Sequence, residues 1–331
     1  MLDPLPRKRA LVAEVLRIES PGDLPSPENG AIDVALLDMN CGYSNVGHEA
    51  IVSVLQDATA ELAPELERSG RRVRVLSYAV RDKLAVPDHR RGRHRLYVGT
   101  GGPGHLDPRR NTQERGTAQI REDPAWEPPL WTLFDAIAAD DAAALYGVCH
   151  TFGLLCRWSG VAEPVLRGPE KGGPMSGIGT DMLTPQALAH PWFGRLAPLA
   201  KHGPVPVLES RYYDLLPSGT MPPGATPIAY ESSAAGDIPG DALTMLEIAR
   251  DPDGMPRVFA VNSHPEIGAP ERVAELLASM LARGTIDRAV YEARSAMLPM
   301  LRDDRRDERL FVGRVVFADL VRERLAQLVR G

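Results

Sequence analysis

Short apolar runs punctuated by turn residues organise the first half of the chain. Ile32-Asp-Val-Ala-Leu-Leu-Asp38 has the continuous hydrophobicity of a strand covered on both faces. Asn40 to Gly47 reads as a polar turn, and Glu49 to Leu62 has helical spacing. Arg72–Tyr78 and Arg95–Val98 predict two further strands, the second stopped by Gly99-Thr-Gly-Gly-Pro-Gly104. A polar, proline-containing stretch over residues 105–129 reads as a surface loop. Leu130 to Ala139 is helical in pattern, Ala142 to Val148 is a strand, and Thr151 to Trp158 is the helix after it. Strands alternating with helices predict an α/β fold with a doubly wound, mostly parallel sheet flanked by helices. Such sheets bind ligands beyond the carboxyl ends of their strands.

The pattern changes after Gly160. Pro206–Tyr213, Ala225–Tyr230, Leu243–Ala249 and Arg257–Val261 read as short strands, the last two joined by the turn Asp251-Pro-Asp-Gly254. From Pro270 the chain is helical. Val273, Leu276, Leu277, Met280 and Leu281 share one face, as do Phe317, Leu320, Val321, Leu325 and Leu328. Arg302–Arg309 is a charge run, expected as a solvated turn or exposed helical face. Residues 6–18 read as a short helix and Ser20–Gly30 as a linker. The expected organisation is therefore an N-terminal helix and linker (1–30), a central domain (31–268) and a helical C-terminal extension (269–331).

Composition narrows the function classes without choosing among them. With 331 residues, 44% of them hydrophobic, the chain has ample material for a core, and its net charge of −6 offers no basic surplus for nucleic acid. No run approaches the roughly 18–20 apolar residues of a membrane span. The basic start lacks an apolar signal core, so a cytoplasmic location is expected. Three cysteines make no disulfide framework, and no pair has metal-ligand spacing, so neither metal nor cofactor is expected.

The candidate chemistry lies at strand ends. Gly147-Val-Cys149 puts a thiol on a sharp strand-to-helix turn, where a helix N-terminus favours the thiolate. The N–H that follows such a residue can face a developing oxyanion. His264-Pro-Glu266 supplies a base and a carboxylate to orient it, and Gly101-Gly-Pro-Gly104 supplies backbone that a substrate can approach closely.

In this order and at these strand ends, the three segments resemble the class I glutamine amidotransferase domain family, whose motifs are commonly Gly-x-Cys-x-Gly-x-Gln, His-Pro-Glu and Gly-Gly-Pro-Gly. Ser210-Arg-Tyr-Tyr-Asp-Leu215 is similar to the Arg-Tyr-His-Ser-Leu segment of some members. The resemblance covers about residues 31–268 and implies a flavodoxin-like sheet. It also implies Cys149 as nucleophile, His264 as base and Glu266 as its orienter. The backbone N–H groups of Gly102 and His150 become the oxyanion donors, and Gly101, Gly104, Thr151, Tyr212 and Tyr213 become substrate contacts. The family's Gly and Gln after the cysteine are Thr151 and Gly153 here, and its His-Ser pair is Tyr213-Asp214. The hydrolytic residues match while the glutamine-recognising ones depart.

Three functions follow as expectations. The first is a glutaminase-like enzyme working through a Cys149 thioester on a small amide, glutamine or an analogue, and passing ammonia to a separate synthase. The second keeps that chemistry on another γ-glutamyl or acyl compound. The third is a non-catalytic binding or regulatory protein. Cys156 is expected in the core, and Cys41 either as a plain loop residue or on the cleft. The His150 ring is expected toward solvent or a partner, and His105 and Arg109–Arg110 on a solvated loop or against an anionic substrate. The C-terminal helices are expected as core packing, a lid or a homodimer surface.

Overall fold

The computed structural model describes residues 13–111, 120–219, 221–233 and 239–331. Its strands are β1 (Glu14–Ile18), β2 (Ala31–Asp38), β3 (Arg72–Ala79), β4 (His94–Gly99), β5 (Ala144–Val148), β6 (Ala162–Leu166), β7 (Met175–Leu183), β8 (Val205–Arg211), β9 (Tyr213–Pro217), β10 (Thr226–Ser232), β11 (Pro239–Arg250) and β12 (Pro256–Val261). They form a 12-stranded sheet of order β1-β3-β2-β4-β5-β12-β11-β10-β7-β8, with β9 pairing β11 and β6. Pairs from β1 through to β12 are parallel, and those beyond β12 are antiparallel. Counted from β2, the run β3-β2-β4-β5-β12 has the doubly wound 2-1-3-4-5 order.

The parallel strands are apolar on both sides because helices cover both faces. One face packs Val34, Leu36, Val75 and Val98 against Ile51 and Leu55 of helix Val46–Glu61. The other packs Leu37, Tyr97 and Leu145 against Leu130 and Phe134 of helix Glu127–Ala139, and against Phe152 and Leu155 of helix His150–Ser159. Cys156 lies in this second layer, and burial pushes its thiol pKa up.

Several expectations give way. Residues 14–18 are strand β1, not helix, because β1 completes the parallel edge beside β3 in register from Glu14–Arg74 to Ile18–Tyr78. The rest of the expected N-terminal helix lies outside the described residues. The stretch 105–129 is no simple solvated loop: His105, Asn111, Trp126 and Glu127 are buried. The charge run Arg302–Arg309 ends on a buried residue, Arg309, which donates to Asp303 (3.1 Å) and to the Leu301 carbonyl (2.8 Å).

The C-terminal stripe of Phe317, Leu320, Val321 and Leu325 joins the first helical layer against Val46–Glu61 and is spent on the chain's own core. No helix among the described residues is long and apolar enough to cross a membrane.

Candidate active site

β5 delivers Cys149 to its carboxyl end, and the next residue already begins helix His150–Ser159. The turn is tight enough to force Cys149 to φ 49°, ψ −100°. Such a conformation costs a non-glycine residue on the order of 1–3 kcal/mol. Its N–H donates to the Val261 carbonyl at 2.7 Å, which ties the turn to the end of β12. The half-buried sulfur lies 3.8 Å from the Ser210 carbonyl.

His264 leaves the end of β12, with its N–H on the Leu208 carbonyl at 2.8 Å. Its Nδ1 bonds Glu266 Oε1 at 2.9 Å, and the ring stands beside Cys149, both packed against Gly101. Burial by itself would lower the imidazole pKa. The Glu266 carboxylate and the Cys149 sulfur outweigh it and hold His264 well above its ordinary value. Cys149 and His264 thus stand side by side on one cleft, with Glu266 bonded to the far nitrogen of the imidazole.

Glu266 is buried, and its Oε2 has no hydrogen-bond partner among the described residues. Gly47, in the first turn of helix Val46–Glu61, makes room for it: a Cβ there would sit 3.0 Å from Oε1. The carboxylate thus faces the positive end of a long helix.

Glycines let the backbone close over this row. A Cβ on Gly101 would stand 3.2 Å from His264 Cε1 and 3.4 Å from Cys149 Cβ. One on Gly102 would run into the Met39 carbonyl. Gly104 takes φ 92° beside Asn111, whose Oδ1 accepts from the His105 N–H at 2.6 Å. Arg81 holds the loop from below. Its Nη1 donates to the Met39 and Pro103 carbonyls, both at 2.7 Å, and its Nη2 pairs with Glu122 at 2.5 Å. Sequence reasoning missed Arg81, because nothing local distinguishes it from a solvated arginine after a strand.

A cleft of about 360 Å³ opens over Cys149, bounded by Tyr43–Asn45, Gly102–Gly104, Ser210–Tyr213, His264 and Arg294. Of the expected substrate contacts, Gly104, Tyr212 and Tyr213 line it. Tyr212 stands exposed on the rim, while Tyr213 is buried edge-on against His105 with ring centres 4.9 Å apart. Gly101 backs the Cys149–His264 pair.

Thr151 is not a cleft residue. It is fully buried, donates to the Thr100 carbonyl at 2.8 Å, and fills the space over Gly99 and Gly147. Gly153 packs against Leu106. The two positions where the family pattern recognises glutamine are therefore occupied with joining β4, β5 and the helix.

Gly102 and His150 both line the cleft, and His150 is the first helical residue, whose N–H has no partner within the helix. Its ring faces neither solvent nor partner. It is buried, and burial followed by the Arg81 and Arg157 charges drives its pKa well below the usual value, leaving a neutral imidazole. Arg109 pairs with Asp107 (2.8 Å) and Glu127 (2.6 Å), away from the cleft. Cys41 also lies off the cleft, its sulfur 3.9 Å from the Arg121 carbonyl. Among the described residues no group of three or more His, Cys, Asp or Glu side chains is arranged to hold a metal ion.

No family model matches the sequence, and no curated protein is similar to it at a significant level. Solved structures are. The chain is similar to a glutamine amidotransferase. That one is from Thermotoga maritima, at 14% identity and TM-score 0.48, with 91% of this chain and 99% of that one covered. A glutamine amidotransferase from Methylobacillus flagellatus is similar at 15% identity and TM-score 0.47, over 89% of this chain and 94% of that one.

Proposed function

We propose that the chain is a glutamine amidotransferase-like enzyme that cleaves a small amide through a Cys149 thioester. The observation that carries this reading is the placement of Cys149 beside His264 on an open cleft, with Glu266 bonded to the imidazole at 2.9 Å. His264 takes the thiol proton of Cys149 and becomes the imidazolium. Cys149 attacks the amide carbon, and the oxygen takes up the negative charge facing the N–H groups of Gly102 and His150. His264 gives its proton to the leaving nitrogen, the C–N bond breaks, and a thioester remains. Water then attacks the thioester with His264 taking its proton, releasing the acid and restoring the sulfur. Glu266 fixes the imidazole tautomer and offsets its charge.

In the plainest form the substrate is glutamine and the ammonia passes to a separate synthase. A second form is favoured by a specific observation, the burial of Thr151 and Gly153: the same chemistry on a different γ-glutamyl or acyl compound.

Labelling with a diazo-ketone analogue of glutamine tests both. Modification of the wild type that vanishes in Cys149→Ala supports the glutamine form. Selective reaction of Cys149 with iodoacetamide but not with the analogue supports the second. If Cys149 reacts no faster than an ordinary exposed thiol with either reagent, the enzymatic reading fails.

A further inference from the structure

Arg294 stands at the mouth of the cleft as a cation with no counter-charge among the described residues. It is carried by helix Arg288–Ser295, outside the region of family resemblance. Its Nη2 donates to the Ser44 carbonyl at 2.8 Å, while Ser44 Oγ donates to the Thr285 carbonyl at 2.7 Å. The C-terminal segment thereby grips the turn that forms one cleft wall. Nη1 of Arg294 is buried with no hydrogen-bond partner, and no carboxylate among the described residues pairs with the guanidinium. Burial lowers its pKa, with no charged neighbour to oppose the shift. The other arginine on the cleft, Arg211, is by contrast already within ion-pair distance of Glu209, Asp214 and Glu231.

The walls around Arg294 favour an anion. No Asp or Glu lines the cleft among the described residues, and its ionisable groups other than Cys149 and the tyrosines are Arg211, Arg294 and two histidines. The guanidinium also borders an adjoining groove of about 290 Å³ that shares Asn45, Ser210 and His264 with the cleft. Glu209, the carboxylate lining that groove, is already bonded to Arg211 at 2.8 Å, so a ligand can reach Arg294 from beside the reacting sulfur. Leaving a charged group part-buried and unpaired costs free energy that a bound anion recovers, and the planar fork of arginine matches a carboxylate with two parallel bonds.

We propose that Arg294 is the anion-binding residue of this site, holding a carboxylate of the substrate, so that the chain acts on amides that carry a free carboxylate. The inference rests on the reading of Cys149 as nucleophile and narrows its substrate class.

A matched pair of alkylating reagents, one anionic and one neutral, tests it. In wild type, Arg294 speeds reaction of Cys149 with iodoacetate relative to iodoacetamide. In Arg294→Gln that ratio falls about tenfold, the value of one charged hydrogen-bonded contact, while Arg294→Lys keeps it within about threefold. The iodoacetamide rate in each variant reports whether the site is still folded. An unchanged ratio in Arg294→Gln with an unchanged iodoacetamide rate overturns the proposal.

Should Cys149 be unreactive toward both reagents, the nucleophile reading falls, and thermal unfolding with added glutarate decides on Arg294 separately. Glutarate is expected to raise the Tm of wild type and Cys149→Ala but not of Arg294→Gln. An equal rise in all three, or none in wild type, overturns the assignment.

Discussion

On the parallel side of the sheet, Val34, Leu36, Val75, Leu96 and Val98 interlock with helices, and the buried Asp33 is matched by Arg74 (2.7 Å) and Arg93 (2.6 Å). On the antiparallel side, Asp181 of β7, Glu209 and Arg211 of β8 and Asp214 of β9 are buried together, joined by Arg167 and the half-buried Glu231. Arg211 Nη1 bonds Glu209 at 2.8 Å, whereas its Nε and Nη2 reach Asp214 (3.2 Å) and Glu231 (2.9 Å) as charge pairs without hydrogen-bond geometry. Asp181 has no ion pair among the described residues, and burial followed by Glu209 pushes its pKa well above the usual carboxyl range. Apolar packing is tolerant of small changes, while buried ions are costly to leave alone. The proposed reacting residues sit where the two kinds of interior meet: Cys149 just after β5, and His264 after β12, the last strand paired in parallel.

The sharpest way to separate the two regions is to remove chemistry on one side and charge on the other. Cys149→Ala is expected to cut amide turnover by about 10⁶-fold, as loss of a nucleophile does, with no loss of stability in urea unfolding. A residual rate within tenfold of wild type would remove Cys149 from the reaction. Glu266→Gln, with a smaller expected effect, should lower kcat by about 10²–10⁴-fold, in the range seen when a base loses its orienting carboxylate. Steady-state kinetics with unchanged kcat would break the assignment.

Across the sheet, Arg211→Met is expected to destabilise the fold by about 3–5 kcal/mol, because it strands buried carboxylates. A midpoint shift no larger than that of an exposed arginine would show the cluster to be solvated. Asp181→Asn is expected to change stability by less than about 1 kcal/mol at neutral pH, since a protonated acid and an amide have similar shape.

The sign of the pH dependence gives the finest distinction. His264 has a folded pKa above its unfolded value of about 6.5. The stability it contributes is fully present below that pH and is lost as pH rises through the folded pKa. Asp181 behaves in the same sense from a lower start: the advantage of binding its proton is complete below about 3.8 and disappears as pH climbs through its raised value. Unfolding curves across pH should therefore flatten at the alkaline end in His264→Gln and at the acidic-to-neutral end in Asp181→Asn. Curves parallel to wild type in both would contradict these shifts.

The same division explains what the sequence makes legible. Strands β2 to β5 are runs of Val, Leu and Ala bounded by turns, so their two-sided burial is written in their composition. Strand β7, Met-Ser-Gly-Ile-Gly-Thr-Asp-Met-Leu, carries two glycines and an aspartate, and its pattern does not mark it as a strand. Its Gly179 exists to clear Glu209, since a Cβ there would be 2.8 Å from Glu209 Cγ. Strand β1 was misread because its five residues gain their conformation from β3 rather than from their own pattern. At the site, Cys149, His264 and Glu266 stand out because each sits in a short motif. Arg81, Gly47 and Arg294 act across long sequence separations that no local pattern encodes.

β12 lies between β5 and β11, yet it is made more than a hundred residues after β5. A ribosome extends the chain at about 5–20 residues per second, so β5 waits for seconds with an open edge and Cys149 without its histidine. In the proposed mechanism the thiol therefore emerges from synthesis unarmed, and acquires its base, its carboxylate and Arg294 only after β12 has been made and has slotted into place.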